Sequence, residues 1–411
     1  MENTKELYYE ILGLKDPWEV QKVDLNLDQN EITIFLNYKS RKGFCPECGK
    51  ECNLYDKRII RKWRHLDTCQ LKSYIVASIP RIKCKEHSIK SINIPWSQSN
   101  SHFTSFFELF AIDLLQATFN QTKAAEILRI SFSQINTIMK NAVKRGLHRR
   151  EKENLEYIGI DEKSMKKGHK YMTIIYDLKK GKVIDLIKDR KEKSAIKLMK
   201  DIKSNNNCDS LKAITMDMWK AFINAAKEVF PMADIVHDKF HIMKYMNDGV
   251  DKTRKREVKK LSKENDKSLK NTKYLFLKNQ ENMTDKQSLR FAEVKNMNLK
   301  TSKAWLIKEN FKGFFNSETI NNGKFFFNAW LNDVRKSGLK EMLNVSELII
   351  RHWSGIISYI KHRITNSLAE NINGKIQKIK TIAKGFYGFE NYRISILFYL
   401  GKLDLAPYKI L

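Results

Sequence analysis

Three acidic side chains, far apart along the chain, have the type and setting for metal-ion chemistry. In YIGIDEKSMKKGHKYMTIIYDL, residues 157–178, Asp161 follows a short β-branched run and lysines follow it in turn. KAITMD places Asp217 after a similar run, and NSLAENINGKIQKIK carries Glu370 in a helical pattern. Carboxylates are hard oxygen donors, and two held close together repel unless a cation lies between them. A pair of Mg²⁺ or Mn²⁺ ions would relieve that repulsion and could clamp the attacking and leaving oxygens of a phosphodiester. A single aspartate after a strand is more often a turn cap, so the elements that carry the acids decide between the readings.

The spacing predicts an α/β unit. YIGID reads as a strand ending in Asp161, KYMTIIYDL as a second, KVIDLIK as a third and EKSAIKLMKDIK as a helix. KAITMD is then a strand ending in Asp217, MWKAFINAAKEVF a helix and ADIVHD one more strand. In an RNase H-like mixed sheet of this order, the first and fourth strands lie side by side and their carboxylates converge. Glu370, on a helix starting near Asn366, shares a face with Asn366, Asn373 and Gly374 at three and four spacing. Glu390, in GFENYR, is the competing third carboxylate. Between about 243 and 364 a Lys-rich helical insertion interrupts this core. Its aromatics, among them Trp305, Phe311, Phe314, Phe315, Trp330 and Trp353, suit packing between helices better than stacking on unpaired bases.

A second set of ligands precedes the core. Cys45-Pro-Glu-Cys48 and Cys84-Lys-Glu-His87 are two knuckles with the same gap, and together they supply the four soft donors of a tetrahedral Zn²⁺ site. Cys52, Cys69 and His65 lie close enough in sequence to compete. The intervening LKSYIVASIPRIKC reads as the strand that delivers the second pair, and KRIIRKWRHLD as a basic strand suited equally to packing or to a phosphate backbone.

FTSFFELFAIDLLQATF is a helix with Thr104 or Ser105 as its N-cap. NQTKAAEILRISFSQINTIMKNAVKRGL then resembles a helix-turn-helix. Thr122 caps the first helix, and the second starts at Ser133 and presents Gln134, Asn136, Thr137, Lys140 and Arg145 to DNA.

Composition agrees with a polyanionic partner. Lys plus Arg number 76 against 47 Asp plus Glu, a formal charge of +29 spread over 411 residues. No apolar run reaches the roughly 18 residues of a membrane helix, and Met1–Glu10 is too polar for a signal peptide. A cytoplasmic protein with neither a membrane partner nor a small-molecule substrate is expected.

The motifs GIDEKS, TMDMWKAF, HDKFHI, NSLAENINGKIQKIK and KGFYGFENYR, with CPEC, CKEH and WRHLD, resemble the ISL3 family of bacterial insertion-sequence transposases. The likeness implies a DDE enzyme with an RNase H-like core, in which Asp161, Asp217 and Glu370 hold the catalytic metals and Asp238 and His241 act close to the scissile phosphate. It also implies a zinc-binding region at 1–100, a helix-turn-helix at 101–150 for the element's ends, and a catalytic domain at 151–411. The expected activity is metal-dependent cleavage and strand transfer of double-stranded DNA by a homo-oligomer, at least a dimer. A regulator that has lost the chemistry, or a structure-selective nuclease without strand transfer, are the alternatives. One departure is Asn371, where family members commonly place Gly after the catalytic Glu.

Overall fold

The structure, a computed structural model, describes residues 2–166, 170–278, 282–297 and 299–407. The chain folds as two compact units. One comprises Met1–Arg150 with Ile382–Gly385 and Leu403–Leu411, the other Glu151–Thr381 with Phe386–Lys402. Among the described residues no helix is long and apolar enough to cross a membrane.

The first unit opens with helix α1 (Glu2–Ile11) and strands β1 (Trp18–Asn26), β2 (Glu31–Tyr38), β3 (Lys42–Phe44), β4 (Glu51–Thr68), β5 (Leu71–Cys84) and β6 (Ser88–Ser91). The sheet order is β1-β2-β5-β4-β3, with β6 also paired to β5. Alternating buried residues along β2 and β5 turn one face of the sheet inward. There Trp96 meets Trp18 edge-on at 4.7 Å and Trp63 at 5.6 Å between ring centroids. Trp63 is fully buried, so KRIIRKWRHLD contributes a core residue from the middle of β4. β4 and β5 form a long hairpin whose two-residue turn, Cys69 and Gln70, has positive φ at both positions.

Helices α2 (Ser105–Thr118), α3 (Gln121–Leu128) and α4 (Phe132–Arg149) complete this unit. Thr104 caps α2, as expected from the sequence. The next two boundaries differ from expectation. Asn120, not Thr122, caps α3, because its side chain accepts from Lys123 N while Thr122 already lies inside the helix. Helix α4 starts at Phe132, one residue before the expected Ser133, and Ser131 caps it through a reciprocal capping box with Gln134.

The second unit is built on strands β7 (Tyr157–Lys166), β8 (Lys170–Asp177), β9 (Lys182–Lys188), β10 (Ala213–Met216) and β11 (Asp234–His237). Helix α5 (Glu192–Asn205) follows β9, and α6 (Lys220–Val229) follows β10. The sheet order β11-β10-β7-β8-β9, parallel on one side of β7 and antiparallel on the other, is the RNase H-like arrangement that the resemblance implied. One detail differs: Asp161 lies inside β7. Its antiparallel partner β8 keeps pairing past Asp161, through Thr173, Met172 and Tyr171, whereas its parallel partner β10 stops at Met216.

After β11 come α7 (Lys239–Leu261), α8 (Lys273–Leu277), α9 (Asp285–Lys295), α10 (Lys300–Phe311), α11 (Ile320–Ser337), α12 (Lys340–Arg351) and α13 (Trp353–His362). Their shared core buries Trp305, Phe311, Phe314, Phe315, Phe327 and Trp330. Phe327 stacks on Trp353 at 4.2 Å, and the Trp330 indole donates to Ile307 O. These aromatics therefore pack helices together; Phe325, at 79% exposure, is the exception. Two helices, α14 (Ser367–Ile382) and α15 (Phe389–Leu400), end the fold.

His65 gives the first unit a pH dependence. Burial, reinforced by the neighbouring Arg64 guanidinium, pulls it down to about 4 from an ordinary 6.5, and its Nδ1 lies 2.9 Å from Thr104 Oγ1. The unfolded chain takes up a proton in that window while the folded one does not. Stability from this group is intact above about pH 6.5 and is lost as the pH falls towards about 4. Thermal unfolding followed across that range should show the loss, and His65→Gln should flatten it; an unchanged profile would contradict the assignment.

Candidate active site and zinc centre

Asp161 and Asp217 are brought together by strand pairing. The apolar stretches Ile158–Ile160 and Ala213–Met216 are buried, as central parallel strands require. Their register sets Ala213 opposite Tyr157, Ile214 opposite Ile158 and Thr215 opposite Gly159. Continued two residues further, it sets Asp217, just past the end of β10, opposite Asp161. Gly159 is required here for room: a Cβ would lie 2.8 Å from Asn366 Oδ1 and 3.1 Å from Thr215 Oγ1. Glu370 comes from α14, in the first turn of the helix.

One cavity of about 660 Å³ is lined by Asp161, Asp217, Asp238, His241 and Glu370, along with Asn366, Asn373, Lys163 and Lys244. All five sequence-predicted residues of this site therefore meet. Glu390 does not line the cavity; it is exposed in the first turn of α15, beside Arg393. Asp238 caps α7, its side chain accepting from Phe240 N, and His241 lies on the first turn of that helix. The Asp161 Oδ1 accepts from Glu162 N at 2.7 Å and its Oδ2 from Asn373 Nδ2 at 2.7 Å, while Asp217 Oδ1 accepts from Trp219 N at 3.0 Å.

The electrostatics favour a cation. Burial pushes the Asp161 carboxyl up to about 6, with the charge of Asp217 adding to the rise. Burial likewise raises Asp217, Asp238 and Glu370, the last with help from Asp238. The field of the His241 ring opposes the rise at all four. Hard oxygen donors crowded at this cost fit Mg²⁺ or Mn²⁺.

The soft ligands converge in the first unit. The ligand atoms of Cys45, Cys48, Cys84 and His87 all lie within 4.8 Å of one another. Cys45 follows β3, Cys84 ends β5, and His87 immediately precedes β6. Gly49, at φ +71, closes the first knuckle, its N–H donating to Cys45 O. Cys48 Sγ lies 3.8 Å from Cys84 Sγ, and His87 Nδ1 is 3.8 Å from Cys45 Sγ and 3.7 Å from Cys84 Sγ. Tetrahedral Zn–S bonds of about 2.3 Å place sulfurs roughly 3.8 Å apart, so the donors fit zinc. The backbone N–H of His87, followed by its ring, pulls the Cys84 thiol down to about 6, towards the thiolate a metal needs. The competing residues lie outside the cluster: His65 is bound to Thr104, Cys69 is exposed in its turn, and Cys52 Sγ contacts Lys50 O at 3.5 Å.

On α4, Gln134, Thr137 and Lys140 are exposed and Asn136 half-buried. Gln134 is committed locally, since its Oε1 accepts from Ser131 N. Arg145 departs from expectation. Its guanidinium turns inward, donating to Gln98 Oε1, Glu108 Oε2 and Leu405 O, because the buried Glu108 carboxylate needs a counter-charge. Sequence reasoning assigned no role to Asn373, Tyr176 or Lys163. Only the helical spacing of Asn373 from Glu370 signalled the first of them.

Comparison with known proteins adds the context. A DDE family model of the ISL3 type, described as a transposase, matches residues 158–396. A second model, described as the zinc-finger of transposase IS204/IS1001/IS1096/IS1165, matches residues 41–87. The chain is similar to the transposase for insertion sequence element IS1557 of Mycobacterium tuberculosis, 23% identical with 92% of each chain covered. It is also similar to the transposase for insertion sequence element IS1001 of Bordetella parapertussis, at 21% identity over 94% of this chain and 96% of that one.

Cys84→Ser should reduce bound zinc, measured by elemental analysis of the purified protein, from about one equivalent per chain to near zero. Cys69→Ser should leave it unchanged. Equal zinc in both variants would remove the four-ligand assignment.

Proposed function

We propose, because the chain belongs to the ISL3 family of DDE transposases, that Asp161, Asp217 and Glu370 hold the two catalytic divalent ions and that Asp238 and His241 act beside them. The observation that carries this reading is the convergence of all five residues on one cavity. Bound there, the ions would activate the attacking water or 3′ hydroxyl and stabilise the leaving oxygen. The protein's own part is position and charge. β7 and β10 hold Asp161 and Asp217 in fixed register, and α14 brings Glu370 to them. Asp238 and His241, at the start of α7, lie where a phosphate oxygen would bind; the imidazole can donate to that oxygen. Lys163 and Lys244 on the cavity wall would attract the DNA backbone. Both cleavage and strand transfer are phosphoryl transfers that need no covalent enzyme intermediate.

In this reading the N-terminal unit recognises the terminal inverted repeats of the element, and α4 presents Asn136, Thr137 and Lys140 to the DNA. Exposure supports Thr137 and Lys140, and Asn136 is half-buried; Arg145 is left out because it is engaged inside the unit. The protein works in the cytoplasm, where the element's DNA lies. It acts as at least a dimer, because two ends must be joined to one target.

Asp161→Asn, Asp217→Asn and Glu370→Gln should each reduce strand cleavage of a terminal-repeat duplex in Mg²⁺ to background, a loss of at least about a thousandfold, with end binding within about threefold of the parent. Cleavage by any one of them at the parental rate would overturn the metal assignment. Tight end binding by the parent without cleavage in Mg²⁺ or Mn²⁺ would instead mark a DNA-binding regulator.

A further inference from the structure

The Asp161 carboxylate is not held by the strand alone. Asn373, one turn beyond Glu370 on α14, donates from Nδ2 to Asp161 Oδ2 at 2.7 Å. Its Oδ1 accepts from the Tyr176 hydroxyl at 2.8 Å, and its backbone carbonyl accepts from Lys163 Nζ at 2.8 Å. Tyr176 is fully buried on β8. A side-chain amide has one accepting and one donating end, and flipping it exchanges them. The Tyr176 hydroxyl, with no water to turn to, fixes the accepting end and so aims the donating end at Asp161.

Asn366 makes the matching contact at the start of the helix. It is buried, and its Oδ1 accepts from Thr215 Oγ1 at 2.7 Å, over the gap left by Gly159. The two asparagines and Glu370 lie on one face of α14. The helix that carries the third acid is thus registered on the two strands that carry the first and second.

We propose that Asn373, oriented by Tyr176, is a positioning residue for the catalytic metals: it holds the Asp161 carboxylate in the rotamer that binds cations and locks Glu370 to the same frame. This rests on the metal assignment proposed above. The chemistry suits the task. A neutral amide orients the carboxylate without neutralising it, as a lysine would, and with Glu162 N on the other oxygen it leaves one lone pair on each for metal. Without the Tyr176 hydroxyl the amide is free to present its own oxygen to the carboxylate, which disfavours the same rotamer.

The test uses the full-length protein and Mn²⁺ as the probe, with calorimetric binding to the DNA-free protein as one readout and the Mn²⁺ dependence of end cleavage as the other. Tyr176→Phe should raise the half-saturating Mn²⁺ concentration several-fold and Asn373→Ala about 10- to 100-fold. In both, cleavage at saturating Mn²⁺ should recover most of the parental rate. Parental Mn²⁺ affinity in both Tyr176→Phe and Asn373→Ala would overturn the proposal, as would a lower melting temperature with an unshifted metal dependence, the mark of a purely structural contact. Asp161→Asn separates the two claims. If it too binds Mn²⁺ and cleaves like the parent, the metal assignment itself has failed; if it is inactive while the Asn373 variants behave as the parent, only the positioning role has.

Discussion

Like-charge repulsion governs the second unit. Several carboxylates face one cavity, and burial makes each harder to ionise. Such an arrangement persists only where the backbone leaves the side chains nowhere else to go. Parallel pairing of β7 with β10 supplies the first restraint, because a slip of one residue would turn a carboxylate to the opposite face of the sheet. The docking of α14 supplies the second. The divalent ions that the family uses then offset the repulsion, so the same crowding that burdens the empty fold becomes affinity for metal.

The zinc centre solves a different problem with softer atoms. Its knuckles sit at the ends of the short β3 and β6 strands and of β5, with Cys45 and Cys84 buried at the margin of the apolar core. A four-ligand clasp ties these strand ends together. The long β4/β5 hairpin runs from this clasp to the tryptophan cluster around Trp63 and Trp96, so one element serves both the metal and the apolar core.

Much of this was legible in the residues. The β-branched runs that end near Asp161 and Asp217 marked the central strands, since a strand covered on both faces must be apolar throughout. The paired knuckles marked the zinc ligands because two-residue gaps suit one ion. LKSYIVASIPRIKC, read as a strand, is β5 from end to end. What escaped depended on partners distant in sequence. β7 overruns Asp161 because β8 goes on pairing there, which no local pattern reveals. Arg145 looked like one more basic residue until the buried Glu108 claimed it. Asn120 capped α3 by one hydrogen bond and Ser131 capped α4 by a reciprocal pair, a choice among similar polar residues that spacing does not rank. Asn373 was seen on the right helical face, yet its meaning lay with Tyr176 on another strand.

The helical insertion leaves the sheet at Asp238 and returns at Asn366, and both residues line the cavity that holds the carboxylates. Nearby, Gly355 on α13 lies so close to the His237 ring that a Cβ there would come within 2.5 Å of it. An excursion whose two ends are fastened at one point barely feels its own length, for doubling a loop adds only about 0.6 kcal/mol of closure entropy. The ends of the insertion therefore meet beside the carboxylates, while its first helix reaches into their cavity with His241 and Lys244, so its length bears little on the closure of the centre although its first turns belong to it.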